Sequence, residues 1–403
     1  MKLKYRDCYF DNAATTKPDP EVIEDIIYSM KHDWYNPSAN YQLARDVRDK
    51  IERAREQIAD YINCSPEEIY FTSGATEANN WAINHFINTN ESITDVLMNL
   101  LDHPSIDEQR KILKEKKEVW VNTFPMVDYN RSQIDLKKLS DYLIKIKNKK
   151  YFGNILASCS LVNNEVGTIY PIKEINEILK TIIPKSYFHV DATQALTHIP
   201  IDVKDLGVDM LSSSFHKCGG LKGIGFLYIK KGTPLSSMIV GGHQENDMRA
   251  GTENIHYIIA MGNHIERLSK TDNERWDKVK NLSNYLREQL YATYDVHKCP
   301  IYKNGDLESC SPYINSFSII GIDAKKLMAI LDLSGIKIAT GSACSSGENK
   351  VSRVLKTMGL TDEEATGTIR ISINENNIEF EIDLLCHLLG ENIKILKEYT
   401  ENE

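Results

Sequence analysis

Apolar positions along this chain alternate between two periods. Residues 21–31 and 46–61 place them three and four apart, the spacing of amphipathic helices, and the second stretch reads as a long surface helix. Glu68-Ile-Tyr-Phe-Thr72 is then a compact apolar run that predicts a strand. Ser73-Gly74-Ala75 follows as a tight turn and 76–86 as a helix, giving a strand-turn-helix unit. Further apolar runs predict buried strands at 119–124, 155–162, 187–190, 210–214 and 225–229, separated by helical stretches such as 172–182. This alternation predicts an α/β fold with a parallel sheet and helices on both faces. After Thr252 the rhythm changes: a helical segment over 257–290 precedes strands at 316–320 and 368–373, which predicts a smaller α+β domain. The division falls near residue 262, inside a helix, giving a large domain over 16–262 and a small one from 1–15 and 263–403.

A length of 403 residues exceeds what one hydrophobic core usually covers and fits two domains. Hydrophobic residues at 41% and charged residues at 26% are ordinary for a globular protein and exclude disordered and collagen-like chains. A net charge of -9 argues against broad nucleic-acid binding, which needs a basic face, so no direct nucleic-acid contact is expected. The start, Met1-Lys-Leu-Lys-Tyr-Arg6, leads to Asp11-Asn12 without the apolar core of a secretion signal. No apolar run reaches the roughly 18 residues of a membrane helix, so a cytoplasmic protein without membrane contact is expected. Eight cysteines, at 8, 64, 159, 218, 299, 310, 344 and 386, include no Cys-x-x-Cys pair, so no metal site is expected.

Two segments carry the candidate chemistry. His189-Val-Asp191-Ala-Thr-Gln194 and Ser212-Ser-Ser-Phe-His216-Lys217 each close a strand-like run, which brings an Asp and a Lys to neighbouring strand ends. A lysine amine can hold an aldehyde cofactor as a Schiff base, and a carboxylate can keep a pyridine nitrogen protonated, which together point to pyridoxal phosphate. The alternatives are a strand-end cap for Asp191 and a solvated surface charge for Lys217. Against them, Gly219-Gly220 and Gly223 follow Lys217 where backbone must approach a bound molecule. Gly74-Ala75-Thr76, at a helix start, offers N–H groups and a hydroxyl to a phosphate, or is an ordinary helix cap; Ser214 and His216 add donors.

Three more residues extend the pattern. His103, placed after a helical stretch, can stack on a flat ring and act as acid or base, or be a structural loop histidine. Arg370 lies opposite Ile369 and Ile371 by strand alternation and can grip a carboxylate, or form an edge-strand salt bridge. Cys344 stands in the small, polar stretch Gly341-Ser-Ala-Cys344-Ser-Ser-Gly347, which reads as a mobile loop able to carry an ionised thiol.

Together these segments resemble the cysteine desulfurases that serve iron-sulfur cluster assembly and nitrogen fixation. The resemblance runs nearly end to end, through Tyr9-Phe-Asp-Asn-Ala-Ala-Thr-Thr16, Asn36-Pro-Ser38, Phe71-Thr-Ser-Gly-Ala-Thr-Glu77, Asn163-Asn-Glu-Val-Gly167, the Asp191 and Lys217 segments, Arg249-Ala-Gly-Thr252 and Gly341-Ser-Ala-Cys344. It implies a class V aminotransferase-like homodimer of pyridoxal-phosphate fold type I, whose large domain holds a mainly parallel seven-stranded sheet. Lys217 is then the Schiff-base lysine and Asp191 the partner of the pyridine nitrogen. Asn164 and Gln194 bond the ring hydroxyl or the substrate. Phosphate falls to Ala75, Thr76, Ser214 and His216, with Thr252 reaching in from the other subunit. Arg370, Asn164 and Asn12 bind substrate.

The implied reaction takes sulfur from L-cysteine to Cys344 as a persulfide and releases L-alanine, with Lys217 moving the Cα proton and His103 handling others. An acceptor protein then receives the sulfur. Tyr41, Ala44, Leu221, His243 and Val351 depart from the family pattern without removing a catalytic group. They suggest a divergent branch, so sulfur modification of tRNA or DNA stands beside iron-sulfur assembly as the pathway. Competing readings are a selenocysteine lyase and a non-catalytic scaffold of the same fold.

Overall fold

The structure, a computed structural model, describes residues 7–116, 119–128, 132–149, 152–297, 300–341 and 351–400; Cys344 lies outside the described residues. Its larger sheet has seven strands: β1 (Ile69–Thr72), β2 (Ile93–Met98), β3 (Trp120–Thr123), β4 (Asn154–Ser160), β5 (Tyr187–Asp191), β6 (Met210–Ser214) and β7 (Gly225–Ile229). Their spatial order is β1-β7-β6-β5-β4-β2-β3. The inner strand β4 is buried along its whole length, as helices on both faces of a parallel sheet require.

One strand breaks the parallel pattern. β7 runs antiparallel to both β1 and β6, because the connection over 215–224 is shorter than the dozen or so residues a parallel crossover needs. The carboxyl ends of the parallel strands therefore share an edge with the start of β7. Gly225 pairs with both Thr72 and Ser214 there, beside the ends of β4 at Ser160 and β5 at Asp191. In open α/β sheets ligands bind at this edge.

A second sheet of four strands, β8 (Ile301–Lys303), β9 (Ile314–Ile319), β10 (Ala339–Thr340) and β11 (Thr368–Ser372), runs antiparallel in the order β8-β9-β11-β10. The amino-terminal segment joins it to the large sheet. Cys8–Tyr9 pairs with Ile336–Lys337 and Asp11 bridges to Ser372, after which Thr16 N–H bonds the His216 carbonyl at 2.9 Å.

Several sequence expectations need correction. β2 went unread, since Thr94 and Asp95 interrupt its apolar run, so His103 follows a strand and not a helical stretch. Asp95 is buried in β2 because Thr94, Asn122 and Lys149 all bond its carboxylate. The expected helix over 257–290 is two helices, Ile255–Ser269 and Asp272–His297; Thr271 N–H closes the first on the Leu268 carbonyl, and its own carbonyl starts the second. Residue 262 lies inside the first. The expected surface helix is Gln42–Ile62, whose Val47, Ile51, Ala54, Ile58 and Ile62 are buried, with Gly262 against Ala54. The helix after Gly74 runs over Ala75–Asn80, widens to π geometry at Trp81–His85 and ends at Phe86–Thr89.

Candidate functional site

The edge where β1, β5 and β6 end and β7 begins opens into a cavity of about 490 Å³, within the usual range for small-molecule sites. Its wall includes Ala75, Thr76, His103, Asn164, Asp191, Gln194, Ser214, His216, Lys217 and Arg370. These are ten of the residues singled out from sequence. They come together from strand ends, turns and one internal strand position far apart in the chain.

Asp191 ends β5 with both oxygens already oriented. Thr193 N–H donates to Oδ1 at 2.9 Å and Asn79 Nδ2 to Oδ2 at 2.8 Å, leaving lone pairs on each oxygen. Lys217 closes the short 3₁₀ turn Phe215–Lys217 after β6, and its Nζ donates to the carbonyls of Ala13 and Ala14 at 2.7 and 2.8 Å. Gln194 Nε2 also donates to the Ala13 carbonyl, at 2.9 Å. The amino-terminal segment thus forms part of the cavity wall.

The two cavity histidines are held neutral. Burial lowers the His103 pKa, the Lys217 and Arg353 charges add to this, and Asp191 opposes it. Burial, reinforced by Lys217 and Lys222, pushes His216 down to about 4. A neutral imidazole can still donate a hydrogen bond to an anion.

Arg370 is buried in β11 between β9 and β10, so it does not sit on an edge strand. Its guanidinium donates to the Asn164 carbonyl at 2.8 Å and to Asp11 Oδ1 at 2.9 Å, while Nε is buried without a partner. Arg370 is also among the residues that line the cavity, which brings its positive charge to the wall.

Two expected residues lie elsewhere. Asn12 directs its amide to the Ser372 and Tyr9 carbonyls at 2.9 and 3.5 Å, tying the amino-terminal segment to β11. Thr252 lines a neighbouring cavity of about 250 Å³, which shares Ser73 and Gly223 with the first. Sequence reading passed over Ser105, Thr193 and Lys222 in the wall and Asn79 behind it. Ser105 and Asn79 each fall close to a motif already singled out, which was the available signal.

A phosphorylated pyridine aldehyde fits these groups. Gly74, at φ +150°, lets the chain turn so that the first N–H groups of the following helix, which lack intrahelical partners, stand beside Ser214. A Cβ on Gly225 would lie 2.8 Å from Gly74 Cα and 2.4 Å from the Ser213 carbonyl, so a glycine there lets the turn sit against the sheet edge. Anion donors, a carboxylate and a lysine amine line one cavity, the set that pyridoxal phosphate needs. Among the described residues no group of acidic, His and Cys side chains is placed to hold a metal ion, and no helix is long and apolar enough to cross a membrane.

Comparison with known proteins agrees with this geometry. The family described as aminotransferase class-V matches residues 8–385. A cysteine desulfurase IscS of Clostridium botulinum is 36% identical over 398 residues, covering 98% of this chain and 96% of the relative. Among solved structures, a NifS-like protein superposes with a TM-score of 0.86 at 31% identity, covering 96% of this chain and all of that one. A second, SspA in complex with cysteine, gives 0.74 at 27% identity, with coverage of 92% and 99%.

Proposed function

We propose a division of labour from one premise: the chain belongs to the class-V aminotransferase family and, within it, to the pyridoxal phosphate-dependent cysteine desulfurases. The observation that carries the proposal is the meeting of Lys217, Asp191, His103 and Arg370 in one cavity. Bound there, pyridoxal phosphate supplies an electron-withdrawing ring that accepts the charge released at the substrate Cα.

The chain's own groups do the rest. Lys217 would hold the cofactor aldehyde, and its Nζ would take the substrate Cα proton. Asp191 keeps the ring nitrogen protonated, held in place by Asn79 and Thr193. The N–H groups of Ala75 and Thr76, with Ser214 and His216, hold the phosphate. Thr252 of a second copy completes this cradle, so a homodimer is part of the proposal, as is a seam between a 16–262 domain and the remainder. Arg370 pairs with the L-cysteine carboxylate, and Asn164 and Gln194 orient ring and substrate. The Asn12 amide, bonded to Ser372, acts on substrate through the placement of Ala13 and Ala14.

Cys344 thiolate then attacks the substrate sulfur. The S–S bond forms as the Cβ–S bond breaks, the carbon keeps the electron pair, and protonation yields L-alanine with a persulfide on Cys344. His103 donates a hydrogen bond to the reacting groups of the substrate. The persulfide sulfur passes to an acceptor protein.

Alanine formation from L-cysteine, with persulfide mapped by mass spectrometry, tests this reading in wild-type and Cys344→Ser protein. Alanine and a Cys344 persulfide from the wild type alone support it. Equal alanine from both would assign a lyase that does not need Cys344, and cofactor-loaded wild type inert under all conditions would assign a scaffold.

A further inference from the structure

Asn79 bonds more groups at the site than its support of Asp191 accounts for. It lies on the Ala75–Asn80 helix and is fully buried. Its Nδ2 donates to Asp191 Oδ2 at 2.8 Å and to Ser105 Oγ at 2.9 Å, and its Oδ1 accepts from the Ser212 hydroxyl. A carboxylate only accepts, so the amide orientation is fixed, with nitrogen toward Asp191 and oxygen toward Ser212.

The direction of each neighbouring proton follows. Ser212 donates to Asn79 and so accepts from His189 Nε2 at 3.0 Å, while His189 Nδ1 takes the Ser158 hydroxyl at 2.9 Å. This order requires a neutral His189, and burial holds its pKa down. On the other arm, Ser105 accepts from Asn79 and turns its own proton to His103 Nδ1, 2.9 Å away. The Ser105 backbone N–H reaches the same nitrogen at 3.1 Å. The tautomer of an imidazole is set by what its other nitrogen bonds, so two donors on Nδ1 place the His103 proton on Nε2.

We propose that Asn79 is a positioning residue that fixes the Asp191 carboxylate and the His103 tautomer together. One amide then holds the group facing the cofactor's ring nitrogen and the group that serves the substrate. This rests on the roles of Asp191 and His103 given above. His103 works as a neutral Nε2–H donor, since protonating Nδ1 would forfeit the Ser105 N–H bond. Leu there would leave Asp191, Ser105 and Ser212 each short of a partner, and an ionised Asp would put a second carboxylate against the first.

The test uses the cofactor-loaded enzyme and two readouts that a merely structural residue would not move: the cofactor absorption spectrum with pH, and the imidazole ¹⁵N shifts of His103, assigned with His103→Gln. Asn79→Ala, or Asn79→Ser if the first does not fold, is expected to change both. Its kcat should fall roughly 100-fold, as for a misplacement of about 1 Å at a reacting group, with little change in KM. Ser105→Ala should raise the His103 pKa and leave the spectrum alone. A folded, loaded Asn79 variant with wild-type spectrum and wild-type His103 shifts would overturn the inference, as would unchanged His103 signals in Ser105→Ala. Asp191→Ala separates the two levels. If it alters the spectrum and Asn79→Ala does not, only the positioning role fails; if it leaves the spectrum unaltered, the role of Asp191 fails with it.

Discussion

The two walls of the cavity are assembled over very different chain distances. On the large-sheet side each group sits within a few residues of a strand end: Asp191 closes β5, Ser214 closes β6, Lys217 follows one 3₁₀ turn later, and the Gly74 turn follows β1. On the small-sheet side Arg370 lies inside β11 and is aimed by Asp11, a residue near the other end of the chain. The first wall is held mainly by the large sheet and its own turns. The second depends on the amino-terminal segment being threaded across both sheets, where Thr16 bonds His216 and Asp11 bonds Arg370. Under the proposed roles, cofactor binding belongs to the local wall and substrate recognition to the long-range one.

Breaking the local wall has the largest expected effect. Lys217→Ala should lower turnover by roughly four or more orders of magnitude, as does removing the reacting group of other covalent enzymes, measured by alanine release. On the opposite wall, Arg370→Gln removes a charge-assisted contact of about 2–3 kcal/mol and should raise KM for L-cysteine roughly 30- to 150-fold. Cofactor affinity should barely change. Ser214→Ala should do the reverse, weakening pyridoxal phosphate in equilibrium titration while leaving KM for cysteine near its wild-type value. Crossed results, with Arg370→Gln losing cofactor and Ser214→Ala losing substrate, would dissolve the distinction.

The same contrast explains what the sequence revealed. The strand-end groups were legible because strand-like runs close at Asp191, Ser214 and Thr72 and the chemistry follows at once. β6 and β7 were read to the residue for the same reason. Arg370 was legible as a strand residue facing away from Ile369 and Ile371, but its Asp11 partner was not, since no local pattern links positions so far apart. β2 was missed because a buried Asp95 looks like a loop residue until Lys149 and Asn122 are placed beside it. Asn79 was missed because an Asn-Asn pair on a helix has no signature of its own; only the fold brings it to Asp191. Thr252 was identified through family resemblance alone, and it lines the neighbouring cavity.

Smaller effects sharpen the picture. Gly225→Ala would press a methyl group to 2.4 Å from the Ser213 carbonyl and 2.8 Å from Gly74 Cα. Overpacking of this kind costs about 1–3 kcal/mol, read in chemical denaturation, and should weaken the cofactor because the Gly74 turn must shift. His198 is buried against Tyr313, with ring centroids 4.1 Å apart, and donates to the Gln194 carbonyl; burial pushes its pKa down to about 4. A depressed histidine pKa means that the unfolded chain binds the proton more readily. His198 therefore contributes stability above about pH 6.5, its unfolded value, and that contribution is lost as pH falls toward 4. His198→Phe keeps the stack and removes the titration, so its stability loss between pH 7 and pH 5 should be smaller than that of wild type, by on the order of 1–2 kcal/mol. An identical acid slope in both proteins would show that His198 does not titrate in this way.

The central claim is that the cavity at the ends of β5 and β6 holds pyridoxal phosphate through Lys217. Reduction of the holoenzyme with borohydride, followed by peptide mapping, tests it most directly because the cofactor is fixed where it sits. A pyridoxyl group on Lys217 in wild type, with the other lysines unlabelled, is the predicted result. Label on Lys222 or another lysine, with Lys217 unmodified, would contradict the account.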